Sequence, residues 1–245
     1  MHRRLSFALV IIVAASVLGF MWRRWLPPLA SAEGMYVDRQ MRLSLLVLGI
    51  IFVLAHVVLA TVIWRYRERG RSADAIAGSY KIELAWMAVV MAILAGLAFT
   101  GANAMAATRT YAERNTIHLE ATGMQFQWYF RYAGPDGVFG ETKPELIDAS
   151  VGNPLGIDPA DRDGRDDVVS TYAVVPLGHT IDVALVAQDV IHSFFMPAMR
   201  IKMDAVPGLN THVRFTPTKL GSFEVACAEL CGLGHYRMNT QVHVV

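Results

Sequence analysis

Hydrophobic positions along this chain change their period once. Three long apolar runs come first, Leu5 to Trp22, Leu43 to Trp64 and Leu84 to about Met105. The second and third are nearly uncharged and about 22 residues long, enough at 1.5 Å per residue to cross ~30 Å of hydrocarbon. They predict a transmembrane hairpin within residues 33–112, with helices at about 43–64 and 84–105. The first run follows Met1, His2, Arg3 and Arg4, so residues 1–32 read either as a signal peptide or as an extra transmembrane helix. Ala30, Ser31 and Ala32 offer a small-residue cleavage site, though it lies beyond Arg23, Arg24, Pro27 and Pro28.

From about Glu113 the pattern turns to alternation. Ile117 and Leu119, then Ile181, Val183 and Leu185, then Val213 and Phe215 stand with polar residues between them. Period-two patterning in short stretches bounded by Gly, Pro and Asp predicts a β-sandwich or barrel over residues 113–245. The predicted strands are Thr116 to Ala121, Gln125 to Tyr132, Val168 to Val175, Thr180 to Ala187, Thr211 to Pro217, Gly221 to Cys227 and Thr240 to Val245. Between Tyr132 and Val168 the chain is rich in Gly, Pro and acids, which predicts a long loop. Its Asp158, Asp161, Asp163, Asp166 and Asp167 read either as negative potential for a basic partner or as a solvated face, and their spacing does not match an EF-hand.

Composition supports the membrane assignment, since 54% hydrophobic against 18% charged residues is too apolar for an ordinary soluble domain. A net charge of +1 gives no electrostatic case for binding nucleic acid. Charge matters here by position. Arg65, Arg67, Arg69, Arg71 and Lys81 crowd the connection 65–82, and the positive-inside rule puts that loop in the cytoplasm and everything after Met105 outside. His56, in the middle of the second run, is expected to be structural and bonded to a neighbouring helix.

The candidate chemistry lies near the C-terminus, in CAELCGLGHYRM. Cys227 and Cys231 are the only cysteines, and His235 and Met238 follow at spacings that suit one tight loop. Thiolates with an imidazole and a thioether select copper over hard cations. A mononuclear electron-transfer copper needs a single Cys, so a second thiolate allows two sulfurs to bridge two copper ions, with His192 and His235 as terminal imidazoles. The competing reading is a disulfide between two cysteines four apart in an exported domain. No CxxCH occurs, so no c-type haem is attached covalently.

CAELCGLGHYRM, preceded by DVIHSFFMPAMRIKMDAVPG, resembles subunit II of haem-copper cytochrome c oxidases over about residues 40 to 245. The resemblance implies a membrane-anchored α plus all-β chain, N-terminal transmembrane helices followed by a cupredoxin-like Greek-key β-sandwich. It implies a binuclear CuA centre held by His192, Cys227, Cys231, His235 and Met238, with Glu229 giving its backbone carbonyl and its carboxylate turned toward a magnesium or manganese ion at a subunit interface. ELAW resembles the family's proton-uptake position, here Glu83, against the plainer reading of an acid at a helix N-terminus. In GMQFQWYFRY, Phe126 stands where the family commonly has the tryptophan that receives electrons, and Trp128 matches its following tryptophan. Aromatic alternation on a strand is otherwise core packing. Lys202 and Asp204 lie in a turn that faces the catalytic subunit in the family.

The function so implied is to accept electrons from reduced cytochrome c, or a similar donor, and pass them to haem in a catalytic subunit I that reduces oxygen to water and pumps protons. The expected setting is a bacterial inner membrane, multi-pass in lipid, with the copper domain on the periplasmic side and other oxidase subunits as partners. The oxygen-reducing site is expected on another chain. Alternatives are the CuA subunit of a nitric oxide reductase-type haem-copper enzyme, a nitrous oxide reductase, a quinol oxidase subunit, which commonly lacks these ligands, and a copper-delivery protein, which needs neither His192 with Met238 nor Glu83.

Overall fold

A computed structural model describes residues 2–22, 25–66, 78–109 and 116–245. They form two compact units, one of helices and one that joins residues 26–35 to the chain from residue 108 onward.

The helical unit contains α1 (His2–Trp22), α2 (Gly34–Arg65) and α3 (Tyr80–Arg109). All three are long and apolar enough to cross a membrane. A helix satisfies its backbone donors and acceptors internally, which hydrocarbon demands. α2 and α3 run past the expected 43–64 and 84–105 because the residues flanking the apolar runs continue the same helix, Asp38 to Arg42 in α2 and Ala106 to Arg109 in α3. His56 departs from expectation: its Nδ1–H donates to the Phe52 carbonyl of its own helix at 2.7 Å and its ring lies against Phe52. A carbonyl one turn back is the partner within reach of a side chain in lipid. Arg65 ends α2 and Lys81 begins α3. Arg67, Arg69 and Arg71, which carry the cytoplasmic assignment, lie outside the described residues.

The second unit is a sandwich of two five-stranded sheets. The first contains β1 (Thr116–Met124), β2 (Gln127–Tyr132), β3 (Val168–Ser170), β5 (Thr180–Ala187) and β8 (Thr211–Phe215), in the order β3-β2-β1-β5-β8. The second contains β4 (Ala173–Val175), β6 (His192–Met196), β7 (Ile201–Ala205), β9 (Gly221–Cys227) and β10 (Asn239–Val244), in the order β4-β10-β9-β6-β7. Neighbours are antiparallel except β1 with β5 and β4 with β10. The chain changes sheet repeatedly, which is the cupredoxin-like Greek-key arrangement. The alternating residues Leu119, Ala121, Trp128, Phe130, Ile181, Val183 and Leu185 meet Phe194, Met196, Val225, Val242 and Val244 in one buried core. Each large side chain so buried contributes about 1.5–3 kcal/mol.

Three features differ from the sequence pattern. The stretch 168–175 divides at Ser170 to Tyr172, sending β3 and β4 to different sheets. β6 and β7 add a hairpin that alternation does not mark, because His192, Ser193 and Phe194 are all buried. The segment between β2 and β3 is a braced cap with short helical turns at Pro144–Leu146, Ala149–Val151 and Asp163–Arg165. Its acids are largely engaged within it. Asp158 pairs with Lys143 at 2.6 Å, Asp161 accepts the Glu141 amide at 2.7 Å, and buried Asp167 takes Arg131 and the Gly140 amide.

Residues 26–35 form a strap on this sandwich. Ala30 is fully buried, its N–H donating to the Ala198 carbonyl and its own carbonyl accepting from Thr218 N, each at 2.8 Å. Ser31 Oγ donates to the Met199 carbonyl at 2.7 Å, and the Glu33 carboxylate accepts from the Thr216 amide and hydroxyl at 2.8 and 2.7 Å.

Candidate metal centre

Strand periodicity brings the donors together. His192, Phe194 and Met196 occupy one face of β6, while Phe223, Val225 and Cys227 occupy one face of β9. Phe194 pairs directly with Cys227, so the histidine two residues earlier in β6 lies just beyond the end of β9. The loop after Cys227 folds back, pinned at its mouth where Cys227 N–H donates to the Met238 carbonyl at 3.0 Å, and a helical turn at His235–Arg237 brings His235 to Cys231.

Six donor atoms converge. Cys227 Sγ lies 3.9 Å from His192 Nδ1, 3.9 Å from Cys231 Sγ and 3.2 Å from the Glu229 carbonyl oxygen. Cys231 Sγ lies 3.6 Å from His235 Nδ1 and 3.7 Å from Met238 Sδ. Thus all six residues nominated from the sequence meet, the glutamate through its main chain. Both cysteines are free thiols, unlike the disulfide alternative. His192, Cys227, Cys231 and Met238 are buried, and His235 is partly so.

Burial first, then the neighbouring Cys227, push the Cys231 thiol from 9.0 up to about 11. Metal binding at that sulfur therefore works against this shift and is coupled to loss of the thiol proton. Two thiols, two imidazoles and a thioether fit a soft metal of the copper type and fit magnesium or calcium poorly.

The histidine is oriented from behind. His192 Nε2 lies 2.8 Å from Asp189 Oδ1, which leaves Nδ1 facing the sulfurs. Gly123 allows this approach, since a Cβ there would lie 3.0 Å from His192 Cδ2 and 3.1 Å from Trp128 Cζ3. Burial works against the Asp189 carboxylate, but donors from Gln125, His192 and Val190 outweigh it and hold its pKa below the ordinary value. Sequence patterning gives no hint of Asp189 or Gln125 beyond a carboxylate three positions before the histidine.

The other nominated residues lie apart from this donor set or beside it. Trp128 is completely buried, edge-on to His192 and Phe194 with centroids at 6.0 and 5.4 Å, and its Nε1 has no partner among the described residues. Phe126 is partly buried and lies against Gly232 and Gly234 of the cysteine loop. Lys202 and Asp204 pair at 3.0 Å on β7, where Ser193 Oγ also donates to Asp204 at 2.6 Å. Glu83 lies in the first turn of α3, in the helical unit.

A membrane-anchored cupredoxin-like sandwich with a buried soft-donor metal pocket is the class that this fold and site define. Residues 117–245 match the family model described as cytochrome c oxidase subunit II, periplasmic domain. The chain is 32% identical over 245 residues to the alternative cytochrome c oxidase subunit 2 of Bradyrhizobium diazoefficiens, covering 98% of this chain and 86% of that one. It is 27% identical over 212 residues to cytochrome c oxidase subunit 2 of Cereibacter sphaeroides, covering 82% and 69%. Among solved structures it is similar to the periplasmic domain of subunit II of cytochrome oxidase (CoxB) of Bradyrhizobium japonicum, at 31% identity and a TM-score of 0.39 over 56% of this chain and 86% of that one. The chain belongs to the cytochrome c oxidase subunit II family.

Proposed function

We propose that this chain is the electron-receiving subunit of a proton-pumping terminal oxidase, taking electrons from reduced cytochrome c or a similar donor and passing them to haem in a catalytic subunit that reduces oxygen to water. The observation that carries this reading is the convergence of two thiols, two imidazoles, a thioether and a carbonyl in one buried pocket.

Cys227, Cys231, His192 and His235, with Met238 and the Glu229 carbonyl as the weaker donors, would hold two copper ions, the two thiolates being shared between them. Two copper ions held there supply a one-electron couple whose charge the thiolate sulfurs spread. The sandwich fixes the donors before and after each transfer, so few atoms need to move. Burial of four of the five donor side chains excludes water from the sulfurs.

The remaining assignments belong to the same proposal. Glu229, whose side chain is exposed, turns its carboxylate to a magnesium or manganese ion shared with the catalytic subunit. Lys202 and Asp204 face that subunit, Glu83 stands at a proton-uptake path, and Phe126 and Trp128 lie on the electron-receiving side. The setting is a bacterial inner membrane with the sandwich on the periplasmic side.

The test is electron paramagnetic resonance with copper quantification on the copper-loaded full-length chain in detergent. A seven-line hyperfine pattern at two coppers per chain, as one electron shared by two equivalent nuclei gives, is the expected result. A four-line pattern at one copper per chain would overturn the proposal.

A further inference from the structure

The two halves of the donor set come from different connections. His192 opens β6 after the β5–β6 connection, and Cys231 sits in the loop between β9 and β10. Between them runs a continuous path of hydrogen bonds. His192 Nε2 meets Asp189 Oδ1 at 2.8 Å. Asp189 Oδ2 accepts the Gln125 backbone N–H at 2.7 Å, and its Oδ1 also accepts the Val190 amide at 2.7 Å. Gln125, in the β1–β2 turn, then donates its side-chain amide to the Cys231 carbonyl.

We propose that Asp189 and Gln125 are positioning residues, a clamp from the His192 imidazole to the Cys231 main chain that sets how the two halves of the donor set face each other. The inference rests on the two-copper reading given above and adds residues that touch no metal. Each link has a separate task. Asp189 consumes Nε2, so the ring presents Nδ1 to the sulfurs and cannot turn over. A carboxylate on the far nitrogen also makes the imidazole a stronger donor. Gln125 fixes the height of the cysteine loop relative to that ring. With the clamp intact the His192 ring and the Cys231 loop keep a fixed separation and orientation, on which the sharing of one electron between two metal positions depends. Without it the histidine and the cysteine loop keep the β6–β9 ladder and the packing of Trp128 and Phe126, none of which fixes the ring nitrogen that faces the sulfurs. Asp189 is one-third exposed while His192 is fully buried, so the clamp closes the pocket on its solvent side.

The experiment compares wild type, Asp189→Ala, Asp189→Asn and Gln125→Ala as full-length chains in detergent, loaded with copper. It reads hyperfine pattern, reduction potential, thermal stability and copper affinity by competition with a chelator. Asp189→Ala and Gln125→Ala are expected to bind copper about 10- to 100-fold more weakly, with unequal hyperfine coupling and a displaced potential. Asp189→Asn keeps an oxygen to accept from Nε2, and it is expected to retain the wild-type pattern more closely than Asp189→Ala. If the variants lose thermal stability alone, with spectrum and potential unchanged, the residues are structural and the clamp is overturned. If Asp189→Ala fails to fold, Gln125→Ala decides, because it removes a side-chain bond and leaves the main-chain ladder intact. A wild type without the shared-electron signal would overturn the two-copper reading itself, a failure distinct from that of the clamp.

Discussion

Gly234→Ala isolates how tightly the cysteine loop is held. Gly234 has φ −93° and ψ 6°, a conformation open to any residue, so alanine brings no backbone strain. Its Cβ, however, would stand 2.5 Å from Phe126 Cγ and 2.8 Å from Cε2. Carbon atoms rest at roughly 3.5–4.0 Å, so the ring or the loop must yield by about an ångström. Overpacking of this kind costs about 1–3 kcal/mol, which for a protein of this size lowers Tm by roughly 2–12 °C. The three heavy atoms nearest that Cβ all belong to the Phe126 ring, so removing the ring should relieve the cost. Phe126→Ala alone loses part of a half-buried side chain, but the Phe126→Ala/Gly234→Ala double variant should be more stable than the sum of the two losses by about 1–2 kcal/mol. Thermal melts of the full-length chain in detergent, with copper content measured beside them, complete the cycle. Losses that add to within about 0.5 kcal/mol would refute the argument, since a ring that blocks the Cβ must couple to it.

Cys227→Ser and Cys231→Ser should each abolish the two-copper signal while leaving membrane insertion intact, and a Cys231→Ser protein with an unchanged mixed-valence spectrum would remove the bridging role. Asp167→Ala removes the nearest carboxylate of the Arg131 guanidinium, whose side chain is 2% exposed, leaving it the Gly140 carbonyl and Glu120 at 3.8 Å, and should cost about 1–3 kcal/mol by urea unfolding without altering the copper spectrum. Burial raises the Asp182 carboxyl, but hydrogen bonds and charges from Arg214 and His212 outweigh it and hold its pKa below 3.8. A depressed folded-state pKa gives stability that is present above the unfolded value and lost as pH falls through the folded one. Asp182→Asn should therefore melt below wild type at neutral pH, and the gap should close on acidification below pH 3.8. A gap that stays constant to about pH 2 would contradict the assignment.

What the sequence disclosed, it disclosed through local rules. Long apolar runs mark helices because hydrocarbon leaves the backbone no other partner, and the Cys227 to Met238 spacing carries its chemistry within one loop. The β6–β7 hairpin stayed hidden because Ser193, which alternation would turn outward, is buried against Asp204. The run VVSTYAVV at 168–175, five of its eight residues β-branched, gave no sign that its two halves join different sheets. Asp189 and Gln125 escaped notice for another reason: their partners are 3, 64 and 106 residues away, and only the folded chain shows that these separations close on one pocket. Trp128, aligned by family pattern with the electron-receiving region, turned out to be wholly enclosed in the core, whereas Phe126 lies against the loop itself.

The strap at residues 26–35 sets an order of events in the making of the protein. Ser31 reaches the ribosome exit 168 residues before Met199, the residue whose carbonyl it will bind. During that interval two apolar helices and six of the ten strands must be synthesised while Ala30, Ser31 and Glu33 wait without their partners. At 5–20 residues per second the wait lasts roughly 10–30 s. The sandwich therefore finishes by capturing a segment made near the beginning. A proteolytic cut after Ala32, whether early or late, would leave the buried seat of Ala30 to be filled by a detached peptide or by nothing. Retention of the N-terminal segment is thus coupled to the completeness of the domain made last.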